Sequence, residues 1–211
     1  MIVNTLRVQE LPERFCWTRF GTEAGQSVRE ILDRKEGERQ ANQGVFLWGI
    51  GNSVAPGISA LVRYSDQPEV LFSPIKGAPR SVDVKPETVV AWTAAETATG
   101  DAYPLPPNSV VLSGHHALPE GRSHYALVCY SASPLSFEGP GGALTFGSLR
   151  NIGSGSPVGS SQVTAVVVRD RDAQGGGRVY PVTFRAALVW PYFIRLRRPV
   201  SRPEWTASLS G

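Results

Sequence analysis

Lysine is almost missing from this chain, which carries 18 arginines and 3 lysines among its 21 basic residues. Cysteine is nearly as scarce. Cys16 and Cys129 stand far apart, each in an apolar run and neither in a CxxC, which argues for two buried thiols in a reducing compartment and against a disulfide framework or zinc ribbon. No apolar run approaches the ~20 residues that span a bilayer. The opening MIVNTLRVQELPERF is too mixed in character for a signal peptide, so the expected location is the cytoplasm, away from membranes. The glycines of Gly153–Gly159 lack the lysine of a phosphate-binding loop. Gly49-Ile50-Gly51 lacks the third glycine of a dinucleotide fingerprint. GxSxG and HExxH are also absent. No complete catalytic motif is left, and no cofactor is expected.

What the chain does carry is turn chemistry and arginine. Its 22 glycines and 17 prolines in 211 residues suit many short strands joined by turns. The length allows a core without metals or disulfides. The charge is uneven. Residues 1–149 hold 12 basic and 15 acidic side chains, net −3, while residues 150–211 hold 9 arginines and 3 acids, net +6. A basic half is the electrostatic footprint of a nucleic-acid binder, and the arginine fork suits phosphate and base edges. A GC-rich genome, which favours arginine codons throughout, accounts for the same excess.

Patterning predicts strands over 1–8, 14–20, 45–49, 69–73, 88–93, 109–113 and 124–130, the last apolar on both faces and therefore central. Ser27 and Glu30 form a capping box ahead of Val28, Ile31 and Leu32, which predicts a helix stopping at Gly37 or at Gly44. A second short helix is expected over 58–63. Residues 131–160 are rich in Gly, Ser and Pro. A linker and a long loop both fit, and the loop is preferred because the 50 or so residues beyond are too few for a second core. Residues 162–169 and 178–190 read as strands joined in a hairpin across DRDAQGGG. Tyr180, Val182, Phe184, Ala186, Leu188 and Trp190 alternate onto one face, then Tyr192, Ile194 and Leu196 fall opposite Arg195 and Arg197. The expected fold is a single strand-rich α+β domain over 1–211: a curled, partly closed β-barrel flanked by one or two helices, with a basic strand region at 162–198.

The most distinctive stretch is Phe46-Leu47-Trp48-Gly49-Ile50-Gly51-Asn52-Ser53. A strand ends in tryptophan, two glycines permit a tight turn, and asparagine leads toward a helix. An aromatic face beside a side-chain amide suits an extruded base, which the ring stacks and the amide reads. Here the chain resembles the EVE-type members of the PUA-like superfamily, which carry a Trp closely followed by a Gly-Val-Arg-Asn turn, then a helix and an apolar strand ending in a small polar residue. The matching residues are Trp48–Asn52, ISALVR and Val70-Leu71-Phe72-Ser73, with Phe15-Cys16-Trp17-Thr18 similar to the family's opening strand; the likeness covers about residues 14–130. Gly51 stands where the family has arginine, which takes a phosphate contact away from that turn. The resemblance implies a base pocket of Trp17, Thr18, Trp48, Gly49, Ile50, Asn52, Ser53 and Ser73. Lys76, Arg80, Arg150, Arg195, Arg197 and Arg198 are then the expected contacts to the backbone of DNA or RNA carrying a modified or flipped base.

Each of these residues also has a plain structural use. Trp17, Trp48 and Trp92 fit ordinary core, Asn52 fits a turn or helix cap, and Arg195, Arg197 and Arg198 fit a solvated strand face. A rival constellation is the histidine set His115, His116 and His124, followed by Cys129. As a zinc site or general base it would make the protein a metal- or histidine-dependent hydrolase of nucleic acid or nucleotides, although its spacing matches no standard site. A protein-interaction domain kept soluble by its arginines is the third reading.

Overall fold

Burial on both faces organises the chain around one large mixed sheet. The computed structural model describes residues 11–23, 25–75, 90–109, 111–113, 124–136, 142–170 and 177–201. In chain order the elements are β1 (Arg14–Phe20), α1 (Val28–Ala41), β2 (Val45–Ile50), α2 (Ala55–Tyr64), β3 (Glu69–Pro74), β4 (Val90–Glu96), β5 (Ala102–Tyr103) and β6 (Leu112–Ser113). They continue with β7 (His124–Tyr130), β8 (Gly142–Thr145), β9 (Leu149–Asn151), β10 (Thr164–Arg169), β11 (Val179–Val182) and β12 (Phe184–Ser201). Ten strands form one sheet in the order β2-β7-β12-β3-β1-β10-β9, with β4 on β12 and both β5 and β6 on β4; β8 and β11 make a separate pair. Among the described ladders, only β1–β3 is parallel. The protein is thus a strand-rich α+β fold. No ladder among the described strands joins β2 to β9, the closure that the barrel expectation needs.

Strand alternation sorts the core into layers. One sheet face presents Cys16, Trp48, Phe72, Leu127, Cys129 and Phe184, and Ile31 and Leu32 of α1 and Ile58 and Leu61 of α2 cover it. On the other face, one end packs Phe15, Trp17, Leu71 and Val167 against the β8–β11 pair. The far end packs Leu47, Ala126, Val128, Ile194 and Leu196 against Trp92 and Val111. The central β7 is therefore apolar on both faces, as its sequence predicts.

The capping box forms: the Ser27 hydroxyl accepts from the Glu30 N–H and the Glu30 carboxylate from the Ser27 N–H. The helix runs through Gly37 and ends before Gly44, whose φ of +102° favours glycine; a Cβ there would also lie 2.6 Å from the Tyr130 ring. Glu38 and Lys35 are buried beneath this helix and joined at 2.6 Å, and the second Glu38 oxygen accepts the Leu47 N–H at 2.7 Å.

Three expectations are corrected. Residues 131–160 are not simply a loop, because β8 and β9 lie within them and bury Leu144 and Leu149; the Gly/Ser/Pro composition hides these short apolar pairs. β10 and β11 are not a hairpin, since β10 pairs β1 and β9 while β11 pairs β8. The expected strand 178–190 breaks at Thr183, whose N–H and hydroxyl both donate to the Phe72 carbonyl. The expected strand over 1–8 lies outside the described residues.

Candidate functional site

The proposed base pocket divides between the two faces of the sheet and is filled by protein. Trp48 is 7% exposed, with its ring 4.8 Å from Phe72 and 5.5 Å from Phe20, both edge-on. Trp17 is 1% exposed on the opposite face, edge-on to Tyr180 at 5.2 Å, with its Nε1 donating to Ser73 Oγ at 2.9 Å. Thr18 is buried and shares a hydroxyl hydrogen bond with Thr164, and Ser73 is fully buried. Trp17, Thr18, Trp48 and Ser73 are thus core residues: β1 and β3 lie inside the sheet, and β2 is covered on both faces. Neither indole offers a face to a base. Gly49 serves packing, because a Cβ there would lie 2.9 Å from Val111 Cγ1. Gly51 has an ordinary φ of −72° and open space around it, so no tight turn depends on it. Asn52 and Ser53 are exposed in a 3₁₀ turn leading into α2, and Ile50 is buried.

The arginines are distributed more tellingly. Arg14, Arg29, Arg39, Arg150 and Arg185 each face a carboxylate of their own, on Glu13, Asp33, Glu36, Asp170 and Glu69. At the β4–β12 junction the balance changes. The single carboxylate of Glu96 takes Arg197 at 2.6 Å and Arg195 at 3.4 Å, and Arg198 stands exposed beside them. Arg198 has φ +54°, and its carbonyl accepts the Thr93 hydroxyl at 2.7 Å. The register sets this cluster. Ile50, Tyr125, Arg195 and Glu96 are cross-strand partners in one row over β2, β7, β12 and β4. Ile50 therefore lies about 10 Å from Arg195, two strand spacings away, and the Asn52–Ser53 turn follows Ile50 at the end of β2. This brings one part of the predicted pocket to the same end of the sheet as the predicted backbone contacts. Arg150 belongs to β9, at the other end of the strand order. Lys76 and Arg80 lie outside the described residues.

Among the described tryptophans, the indole that does reach solvent is one that patterning turned inward. Trp190 is 73% exposed. The break at Thr183 already puts Tyr180 and Val182 on the opposite face from Phe184, Ala186 and Leu188, and the alternation that holds from Phe184 to Leu188 fails where the β7–β12 register slips between Leu188 and Phe193. The same slip sends Tyr192 and Phe193 to the helix-covered face while Ile194 and Leu196 join the opposite cluster, which corrects their expected common face. The Trp190-Pro191 step was the available signal, since proline inside a strand marks an edge or a bulge.

One buried charge, Arg19, is not signalled by the sequence. Arg19, 6% exposed, lies among the rings of Trp17, Tyr180 and Phe146 and donates to the Tyr180 hydroxyl and to the carbonyls of Ser160 and Gln162. It ties the Gly/Ser segment to β1. His124 stacks on Trp92 with centroids 5.3 Å apart and planes 8° from parallel. Its expected companions His115 and His116 lie outside the described residues, and no group of three His, Cys, Asp or Glu placed to hold a metal occurs among those described. Both cysteines are free and buried, and burial raises both thiols. No described helix is long and apolar enough to cross a membrane. No protein-family model, curated protein or solved structure matches the chain.

Proposed function

We propose that the protein is a nucleic-acid-binding module whose contact surface is the β12 strand where β4 and β7 join it. The observation that carries this reading is the charge imbalance there: Arg195 and Arg197 share one carboxylate and Arg198 stands exposed next to them in the chain, while five other arginines each meet a different carboxylate. The exposed side chains between Arg185 and Arg198 include no acid on β12 itself, and Tyr125, half-buried, lies in the same cross-strand row. Glu96 balances one charge and holds the two guanidinium forks in place; phosphate oxygens suit the donors left over. The cytoplasmic location and the curled, PUA-like barrel belong to the same proposal. The long β12, paired along one flank by β3 and then β4 and along the other by β7, is the continuity such a curl requires. The EVE-type idea of base recognition is kept, without the buried indole of Trp48 as its platform.

The test is binding of fluorescently labelled DNA and RNA oligonucleotides followed by anisotropy across a salt series. Affinity is expected to fall steeply with salt, with log K losing about 0.7–0.9 per decade of salt for each phosphate neutralised. The variant Arg195→Ala/Arg197→Ala/Arg198→Ala is expected to flatten that slope by about 2. A panel of modified bases reads any base preference. No binding at about 50 mM salt, where the electrostatic term is strong, overturns the reading.

A further inference from the structure

Midway along β12, one flank lacks a registered partner among the described strands. The β3 ladder ends at Ala187 and the β4 ladder begins at Arg195. The Leu188 N–H still donates to the Pro68 carbonyl at 2.7 Å, and from Val189 to Ile194 that flank carries no registered partner among the described strands, a notch about 20 Å long at ~3.3 Å per residue. Trp190 occupies this notch and is the most exposed large apolar side chain among the described residues. Tyr192, two residues on, has φ +70°, and Arg198 has φ +54°. Such conformations are costly for bulky side chains, and in folded proteins they concentrate at ligand sites. The indole is thus held out by a bulge whose backbone is strained on the side leading to the arginine cluster.

We infer that the module takes single-stranded nucleic acid, DNA or RNA, with one unpaired base stacked on the Trp190 indole and the adjoining phosphates on Arg195, Arg197 and Arg198; this rests on the nucleic-acid reading above. Bases inside a duplex are stacked on one another and offer no free face to an indole on a strand, whereas an unpaired base does. Charge complementarity favours this occupant over an apolar protein surface. Leaving Trp190, the strand meets three arginines in the next eight residues and no acid. Trp17, Trp48 and Trp92 are each under 10% exposed, so the change in indole emission between wild type and a Trp190 variant isolates the ring in question among the described tryptophans.

The experiment compares single-stranded oligo-dT and oligo-U with a duplex of equal length, for the wild type, Trp190→Phe and Trp190→Ala. Intact folding is verified by the thermal transition, which an exposed side chain should leave in place. The expected result is single-strand preference, quenching of Trp190 emission on binding, and a loss of about 5- to 100-fold in affinity for Trp190→Ala. Trp190→Phe should recover most of it, and the salt slope should stay at the wild-type value because no charge is removed. The oligo-dT and oligo-U arms separate DNA from RNA. If oligonucleotides bind with an arginine-dependent salt slope but neither Trp190→Ala nor the emission changes, the stacking inference falls and the nucleic-acid reading stands. Equal binding of duplex and single strand also overturns the inference. If instead Trp190→Ala abolishes a concentration-dependent self-association, the indole belongs to an interface between copies, and the inference is wrong. Failure of every oligonucleotide to bind removes both.

Discussion

The buried pair beneath α1 gives the sharpest test of how this fold is held. Glu38 is 2% exposed and Lys35 3%; one carboxylate oxygen meets the ammonium at 2.6 Å and the other accepts the Leu47 N–H at 2.7 Å. The carboxylate therefore does two jobs, balancing a charge inside the core and capping a backbone donor of β2. Glu38→Leu removes both. Losing the opposite charge of a buried pair costs about 3–5 kcal/mol, and an unbonded buried N–H alone costs about 1–3 kcal/mol. The two overlap, so about 3–5 kcal/mol is expected in total. Burial already lowers the Lys35 pKa to about 8, with Glu38 opposing that shift. In Glu38→Leu the pKa should fall further. The unfolded chain then binds a proton the folded chain does not, so the variant's stability should rise with pH until the ordinary lysine value near 10.4 is passed. Lys35→Met should cost a similar amount to Glu38→Leu. The double variant Lys35→Met/Glu38→Leu should cost less than either single change, because neither charge is then buried alone. Urea unfolding followed by tryptophan emission measures all three. Single costs below about 1 kcal/mol, or a double cost equal to the sum of the singles, would refute the coupling.

The remaining expectations concern the same core and its surroundings. Glu36 is held to a pKa of about 2, chiefly by the Arg39 guanidinium, with help from the Leu135 N–H and the Gln40 amide. Its contribution is present above the ordinary glutamate value near 4.3 and is lost as pH falls through about 2. Glu36→Gln should therefore flatten the pH dependence of urea unfolding between those limits. Trp48→Ala should destabilise by about 3–5 kcal/mol in the same assay, with oligonucleotide affinity kept in the fraction that remains folded. A loss of binding without a loss of stability would return Trp48 to the ligand site. Burial raises the Cys16 and Cys129 thiols above their ordinary value, so the folded chain keeps both protonated while the unfolded chain ionises near pH 8.5. Stability should fall as pH rises past that value, and Cys16→Ala/Cys129→Ala should lessen the fall. Alkylation of the native protein at pH 8 should label neither thiol.

What the sequence determined by itself is local. The capping box of Ser27 and Glu30 and the apolar runs of β2, β3 and β7 depend on neighbouring residues and appear where the sequence puts them, whereas of the two helix stops the sequence offers, Gly37 and Gly44, the structure takes the second. Charge asymmetry was equally legible, because it is a count. The tertiary structure decided which arginines share a carboxylate, since Glu96 meets Arg195 and Arg197 across a ladder linking residues about a hundred positions apart. It also decided which indoles are buried. Trp17 and Trp48 sit in strands covered on both faces, a fact of sheet order rather than of alternation, and Trp190 is thrown outward by a one-sided slip in register against β7. A period of two carries side-chain direction along a strand only while the partner strand keeps step, and at Trp190 it does not.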